Sequence, residues 1–166
     1  MYRSIEDFQI DWGHEAEKTL NIFRALTEES LAQKVTDDGR SLGFIAWHIA
    51  VTLGEMLGHA GIKIDSPVSV GSEIPKLAEI VSTYEKGAKL VGAEVGKAWK
   101  DEELSDEIPM YGMSWKKGIT LHALIAHQIH HRGQMTVLMR QAGLRVPGVY
   151  GPAREEWVEY GMAAEA

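Results

Sequence analysis

The strongest constraint on the fold of this chain is a helical period in its apolar residues. Along several long stretches, apolar side chains recur at steps of three or four, which places them on one face of an α-helix. The first stripe comprises Ile5, Phe8, Trp12, Ala16, Leu20, Phe23 and Leu26. A later stripe comprises Leu77, Val81, Tyr84, Ala88, Val91 and Val95. No stretch alternates convincingly between apolar and polar residues, so the sequence predicts an all-α protein.

Capping residues predict where the first three long helices begin. Ser4 precedes the first stripe, and Ser41 precedes a second helix over about residues 42–58; a serine hydroxyl can accept a hydrogen bond from the first turn. A third helix is predicted to begin near Ser72, with Pro75 in its first turn, where a missing backbone N–H costs little. It ends near residue 99.

The remainder of the chain predicts one more long helix and a short one. The fourth helix opens at Thr120, continues through the amphipathic residues 121–141 and ends before Gly143, a residue suited to the position after a C-cap. Residues 100–118 form a long crossover before it, and a short C-terminal helix is predicted over residues 152–160. These elements predict a four-helix bundle in a single domain, residues 1–166.

Three of the seven histidines lie where helical geometry can bring them together. His127 and His131 are four residues apart on the inward face of the fourth helix, with Cβ atoms ~5–6 Å apart. His48 lies on the inward face of the second helix, and bundles commonly build metal sites from such facing residues. The spacing of His127 and His131 predicts a shared divalent cation, to which His48 can add a third ligand if the two helices face each other; the alternative is a metal-free core in which the histidines only form hydrogen bonds. His130 points to the side of the pair and is expected at the surface or an interface.

The ligand type narrows the choice of metal. Three imidazoles suit Zn²⁺, Ni²⁺, Fe²⁺ or Cu²⁺ better than Mg²⁺ or Ca²⁺, and zinc or nickel is the first expectation. Three protein ligands leave a coordination position open, as in a reactive metal site. The residue after His127 is Gln128, so the glutamate base of a zincin motif is missing. Glu55, on the face of His48, is the nearest candidate base, unless it is an ordinary, partly exposed helix residue.

Three segments of the chain carry a resemblance to a known family. They are residues 42–49 (LGFIAWHI), residues 126–135 (AHQIHHRGQM) and the tail at residues 141–151 (QAGLRVPGVYG). In order and spacing they are similar to the DinB family, also called DinB/YfiT-like. The resemblance implies a four-helix bundle with one metal held by His48, His127 and His131, and a homodimer formed through helix faces. Some related proteins are transferases or isomerases that use low-molecular-weight thiols such as bacillithiol or mycothiol, and others have no assigned reaction.

Two functions are open at this point. The first is a metal-dependent enzyme, either a thiol transferase or a hydrolase; because the chain contains no cysteine, any thiol must come as a cosubstrate. No catalytic residue is assigned, although Arg132 or Tyr111 is a candidate for orienting an anionic substrate; Arg132 is equally interpretable as a charge at the surface or at a dimer interface. The second is a non-catalytic, metal-stabilised bundle of the stress response that binds a ligand or partner. Met110, Met113 and Trp115, with Tyr111, are candidates for lining a mouth over the metal, although ordinary anchoring of the loop is the favoured interpretation of these residues.

Charge and hydropathy limit the partners. The net charge is −7 with no cluster of Lys and Arg, which argues against nucleic acid as a partner. No run of 18 apolar residues and no signal core are present, so the sequence predicts a soluble, cytoplasmic protein with no membrane association. A small-molecule substrate is the expected partner.

Overall fold

Four long α-helices dominate the computed structural model, which describes residues 1–69, 71 and 73–163. They are α1 (Ile5–Arg24), α2 (Leu42–His59), α3 (Leu77–Ala98) and α4 (Lys117–Gln141). Short 3₁₀ helices occur at Glu29–Ala32, Asp101–Ser105 and Trp157–Tyr160. The predicted all-α four-helix bundle is confirmed. Among the described residues, no helix has the combined length and apolarity needed to cross a membrane.

The connection between α3 and α4 contains a small hairpin that the sequence pattern did not predict. Its antiparallel strands are β1 (Glu107–Met110) and β2 (Met113–Lys116), and Met110 pairs with Met113 across a two-residue loop. Both loop residues have positive φ, 51° at Tyr111 and 78° at Gly112, as a type I′ turn requires. Strands of four residues are too short to show a clear alternation, which explains the miss.

The helix ends follow the predicted capping chemistry in three places. The side chains of Ser4 and Ser41 accept hydrogen bonds from the first turns of α1 and α2, each at 3.1 Å. Gly143, just beyond α4, has a φ of 75°. Ser72, near which α3 was predicted to begin, lies outside the described residues, and the placement of Pro75 in the first turn was wrong. The helix begins at Leu77, whose N–H donates to Glu28 Oε2 at 3.0 Å.

The helices pack so that α1 and α2 each contact both α3 and α4. On one side, the indole N–H of Trp12 in α1 donates to the carbonyl of Ala88 in α3 at 2.8 Å. Phe23 packs edge-on against Tyr84 with ring centroids 5.1 Å apart. On the other side, the contact between α2 and α4 places His48 opposite the histidines of α4.

Candidate metal centre

His48, His127 and His131 meet where α2 packs against α4. Nε2 of His127 lies 3.0 Å from Nε2 of His48 and 3.1 Å from Nε2 of His131. One ring nitrogen from each residue can be chosen so that all three lie within 4.8 Å of one another. The structure therefore brings together the three residues that the sequence pattern grouped.

The three nitrogens are arranged as a ligand set rather than as a hydrogen-bonded chain. A ring nitrogen carries either one proton or one lone pair, so Nε2 of His127 cannot form good hydrogen bonds with both neighbours. Tetrahedral Zn–N bonds of ~2.0–2.1 Å would place ligand nitrogens roughly 3.3 Å apart. The two separations measured from Nε2 of His127, 3.0 and 3.1 Å, are close to this value. The donor set fits a divalent cation, and these three residues can hold one.

Burial keeps all three imidazoles in the form that binds metal. Burial, and then the positive charge of His131, lowers the pKa of His48 from 6.5 to about 4. Burial and the charges of His131 and His48 lower the pKa of His127 to about 4 as well. The pKa of His131 is also lowered, again mainly by burial. At neutral pH each ring is uncharged and offers a lone pair.

Gln134 orients His131 from behind. Its Oε1 lies 2.7 Å from Nδ1 of His131, so an Nδ1–H donates to the amide and leaves the Nε2 lone pair facing the other histidines. In contrast, Nδ1 of His127 is buried without a hydrogen-bond partner among the described residues. His130 is exposed, as expected, and packs its ring 4.9 Å from that of His131. The role of Gln134 was missed, although its spacing of three from His131 was a usable signal.

Arg132 does not face the cluster, so its expected role in orienting an anionic substrate is wrong. It is 1% exposed and forms an ion pair with Glu15 of α1, while its Nη1 donates to the Glu15 carbonyl at 2.7 Å. The hydroxyl of Tyr150 donates to Glu15 Oε2 at 2.7 Å. Burial alone would raise the pKa of Glu15, but hydrogen bonds from Lys18, Arg132 and Tyr150 lower it below its usual value. Arg132 therefore has a structural role in the core, where it joins α4 to α1.

Gln128 extends this buried polar cluster, which we call the Glu15–Arg132 network. Its Oε1 accepts hydrogen bonds from the hydroxyls of Thr19, at 3.2 Å, and Tyr84. Gln128 is fully buried, so it is a structural amide and not a displaced catalytic residue. The reason is helical geometry: residues 128 and 132 lie ~100° around α4 from residues 127 and 131, and so face α1 instead of α2.

A cleft of about 430 Å³ opens beside the histidines, and we call it the α2 cleft. It is lined by His48, Val51, Thr52, Glu55, Met56, Val68, Ser69, Tyr111 and His127. Two of the three histidines lie in its wall, so a small molecule in this cleft reaches the ligand set. A second cavity of about 370 Å³, lined in part by Arg40 and Gln134, contains none of the three histidines in its wall.

Glu55 lies in the α2 cleft but is not placed as a base for the metal site. It is two helical turns from His48, roughly 10 Å along α2. Its Oε2 accepts a hydrogen bond from the Tyr111 hydroxyl at 2.8 Å, and its Oε1 lies 3.2 Å from Nε2 of His59. Tyr111 thus donates its proton to a carboxylate and is not free to donate it to an anionic substrate.

Of the four crossover residues named as candidates for a mouth, Tyr111 alone lines the α2 cleft. Met110 is fully buried in the core, while Met113 is 56% exposed. Trp115 packs against Tyr111 with ring centroids 5.8 Å apart. The hairpin therefore contributes its turn, and not its strands, to the wall of the cleft.

Comparisons with known proteins agree with this architecture. The model of the DinB family matches residues 1–162. An uncharacterized protein of Bacillus subtilis strain 168, YrdA, is 38% identical over 165 residues, which are 99% of this chain and 98% of that protein. A crystal structure of a DinB-like protein from Bacillus cereus ATCC 10987 has a TM-score of 0.86 and 38% identity, and the match covers 90% of this chain and 100% of that one. The DinB-like protein YjoA from Bacillus subtilis has a TM-score of 0.65 at 17% identity, over 89% and 99% of the two chains, which shows a shared fold alone.

Proposed function

The chain belongs to the DinB family, and on that premise we propose that it holds one divalent cation through His48, His127 and His131 and uses it in a transferase reaction. The observation that carries the proposal is the approach of Nε2 of His127 to within 3.0 and 3.1 Å of the other two Nε2 atoms. Zinc or nickel is the proposed metal, because three neutral imidazoles with no thiolate suit these ions.

The proposed reaction joins a low-molecular-weight thiol to a small electrophile. When bound, the cation would lower the pKa of a coordinating thiol and so supply a nucleophile at neutral pH. The chain has no cysteine, so the thiol is a cosubstrate. Its sulfur forms a bond to the electrophilic carbon, the bond between that carbon and its leaving group breaks, the leaving group takes the electron pair, and the thiol proton passes to solvent.

The residues of this chain contribute position and environment to that reaction. His48 and His127 place the ligand set in the wall of the α2 cleft, and Gln134 holds the ring of His131. Apolar side chains from Val51 and Met56 line the same cleft and reduce its water content around a bound molecule. The open coordination position of a three-ligand site is where a thiol would bind.

Metal analysis tests the site. We expect the purified protein to carry about one metal ion per chain, and each of His48→Ala, His127→Ala and His131→Ala to lose it. His122→Ala is the matched control, because His122 is an exposed histidine of the same helix outside the cluster. Metal content like that of the unmutated protein in all three cluster variants would refute the site.

Turnover of the metal-loaded protein tests the reaction. The assay combines a panel of thiols, including bacillithiol, glutathione and free cysteine, with chlorodinitrobenzene as a chromogenic electrophile. Strict dependence on both the metal and the thiol supports the transferase. Product formation at the same rate in the metal-free protein contradicts it.

A non-catalytic role is the second candidate, and one observation favours it. Glu55 is the sole carboxylate among the described residues that line the α2 cleft, and it already accepts a hydrogen bond from Tyr111 two turns from His48. Within the described part of the cleft wall, no other carboxylate is available to act as a base beside a bound cation. Under this proposal the protein is a metal-stabilised bundle of the stress response, and it binds thiols or other small molecules without turnover. Homodimerisation stays a prediction, which sedimentation velocity tests.

A further inference from the structure

We propose that the α2 cleft selects an elongated, largely apolar small molecule with an ammonium group at one end, and that Glu55 binds this ammonium. The inference deepens the proposed function and rests on it in one respect, that the other end of the molecule is the end that reaches the histidines. It names a substrate class and a specificity-determining residue for the site.

The carboxylate of Glu55 has unused capacity to accept hydrogen bonds. An ionised carboxylate has about four lone-pair sites. Tyr111 occupies one on Oε2 and His59 lies against Oε1, which leaves acceptor sites on both oxygens. The side chain of Glu55 is 31% exposed, so a ligand can reach it. Glu55 is therefore held in place from two sides and still open to a third donor.

The charge of the cleft wall favours a cation at this position. Glu55 is the single Asp, Glu, Lys or Arg among the described residues of the wall. Arg40 lines the other cavity and is not among the residues of this wall. A carboxylate or phosphate near Glu55 would meet a like charge, whereas an ammonium forms a charge-assisted hydrogen bond.

The geometry of α2 sets the length of the ligand. His48, Val51, Thr52 and Glu55 follow one another at helical spacing along the same face and all line the cleft. His48 and Glu55 are separated by roughly 10 Å, with Val51 and Thr52 between them. This separation is about one Debye length in physiological salt. The repulsion between an ammonium at Glu55 and a cation at the histidines is therefore weak. A ligand that reaches both Glu55 and the histidines must span this distance, as an extended alkyl chain does.

The hairpin turn supports the assignment from the opposite wall. Tyr111 has a φ of 51°, a conformation that is unusual for a bulky residue. In this position its ring packs 4.7 Å from that of His59, and its hydroxyl reaches Glu55. Burial, and then the hydrogen bond to Glu55, raises the pKa of Tyr111 above its usual range, so the phenol stays a neutral donor. The turn thus fixes the orientation of the carboxylate.

Thiol probes of one length and different terminal charge test the inference. The cobalt-loaded protein is titrated with aminohexanethiol, hexanethiol and mercaptohexanoic acid, and thiol binding is followed by the visible absorption of cobalt. We expect aminohexanethiol to bind about tenfold more tightly than hexanethiol, and mercaptohexanoic acid to bind least well. Equal affinity for the three probes would overturn the inference and leave the proposed function standing.

Two variants assign the effect to Glu55. Glu55→Gln keeps the size of the side chain and removes its charge, so it should abolish the advantage of aminohexanethiol without changing the affinity for hexanethiol. Glu94→Gln is the matched control, because Glu94 is a helix residue with nearly the same exposure, 30%, far along the chain on α3. Aminoethanethiol, too short to span two turns, should gain nothing from Glu55. An equal loss in both variants contradicts the assignment.

A measurement without thiols separates this inference from the proposed function. If no thiol alters the cobalt absorption, the thiol part of the proposed function fails. Calorimetric titrations with hexylamine and hexanoate then decide the present inference. A preference for hexylamine that disappears in Glu55→Gln supports it, and equal heats and affinities for the two ligands overturn it.

Discussion

Gln134 and His131 are joined by a hydrogen bond of 2.7 Å between Oε1 and Nδ1, less than one turn apart on α4. The contact fixes which nitrogen of His131 carries its proton. It also holds the ring in one orientation, so Nε2 faces His48 and His127. Because the His131 ring is already held in this orientation, it loses little conformational freedom when a metal binds.

Removing this contact should weaken metal binding without abolishing it. We expect Gln134→Ala to lower the metal affinity ~10–100-fold, the usual effect of losing a residue that orients a ligand. Competition with a fluorescent zinc chelator measures the change, and Gln134→Glu should retain most of the affinity. Gln141→Ala, at the exposed end of the same helix, is the control. Identical affinities for the two alanine variants would contradict the role of Gln134.

Removal of the metal should lower the stability of the bundle. A cation that binds the folded state alone adds about 2.7 kcal/mol at a free concentration 100 times its Kd. We expect a chelator to lower the Tm of the unmutated protein, measured by calorimetry. His48→Ala should show a much smaller decrease, and an equal decrease in both proteins would point to metal binding elsewhere.

The metal-free protein should lose stability in mildly acidic solution. The pKa of His48 and of His127 is about 4 in the folded protein and 6.5 in the unfolded chain. Between these values the unfolded chain takes up protons that the folded state does not, so the free energy of unfolding decreases as the pH falls from about 6.5 towards 4. Urea denaturation with chelator present measures it. His48→Ala should give a shallower pH dependence; an unchanged slope argues against buried, neutral histidines.

The Glu15–Arg132 network should stabilise the fold. Glu15→Ala leaves the guanidinium of Arg132 buried without its carboxylate, and we expect a loss of about 3–5 kcal/mol in the free energy of unfolding. Glu17→Ala, an exposed neighbour on α1, should change it by less than about 1 kcal/mol. Chemical denaturation of the metal-loaded proteins makes the comparison. A loss below that of Glu17→Ala would show that the ion pair is dispensable.

Tyr150 should attach the C-terminal tail to this network. Its hydroxyl lies 2.6 Å from Nη2 of Arg132 and 2.7 Å from Oε2 of Glu15. Tyr150→Phe removes both contacts and keeps the ring, so we expect a loss of about 1–3 kcal/mol and faster proteolysis within residues 144–156. Tyr160→Phe is the control, because Tyr160 is 67% exposed and Tyr150 is 62% exposed. Equal cleavage rates in the two variants would contradict the attachment.

Helical periodicity predicted the bundle and the faces that carry the histidines, because one inward face per helix is enough to define such a fold. It also placed His48, His127 and His131 on inward faces of two helices, whereas their meeting in one site followed from the resemblance to the DinB family. It misassigned Arg132, since a charged residue beside the inward stripe has solvent as its default environment. Only tertiary packing shows that a carboxylate from α1, 117 residues away in sequence, meets it.

The wall of the α2 cleft was harder to predict for a different reason. Tyr111 reaches Glu55 through a hairpin whose four-residue strands carry no clear pattern, and the two residues are 56 apart in the chain. The turn itself had a signal in Gly112, but a tyrosine beside it is unusual in that conformation. Contacts made by loops depend on backbone geometry that no periodicity encodes.

The two faces of α4 have a joint consequence. His127 and His131 face α2, while Gln128 and Arg132, each one residue further on, are anchored to α1. A rigid helix has one rotational phase, so any twist of α4 that separated the histidines would also pull Arg132 from its ion pair. The buried network therefore limits the rotation of α4. In this way it sets the distance of His127 and His131 from His48 before any ion binds.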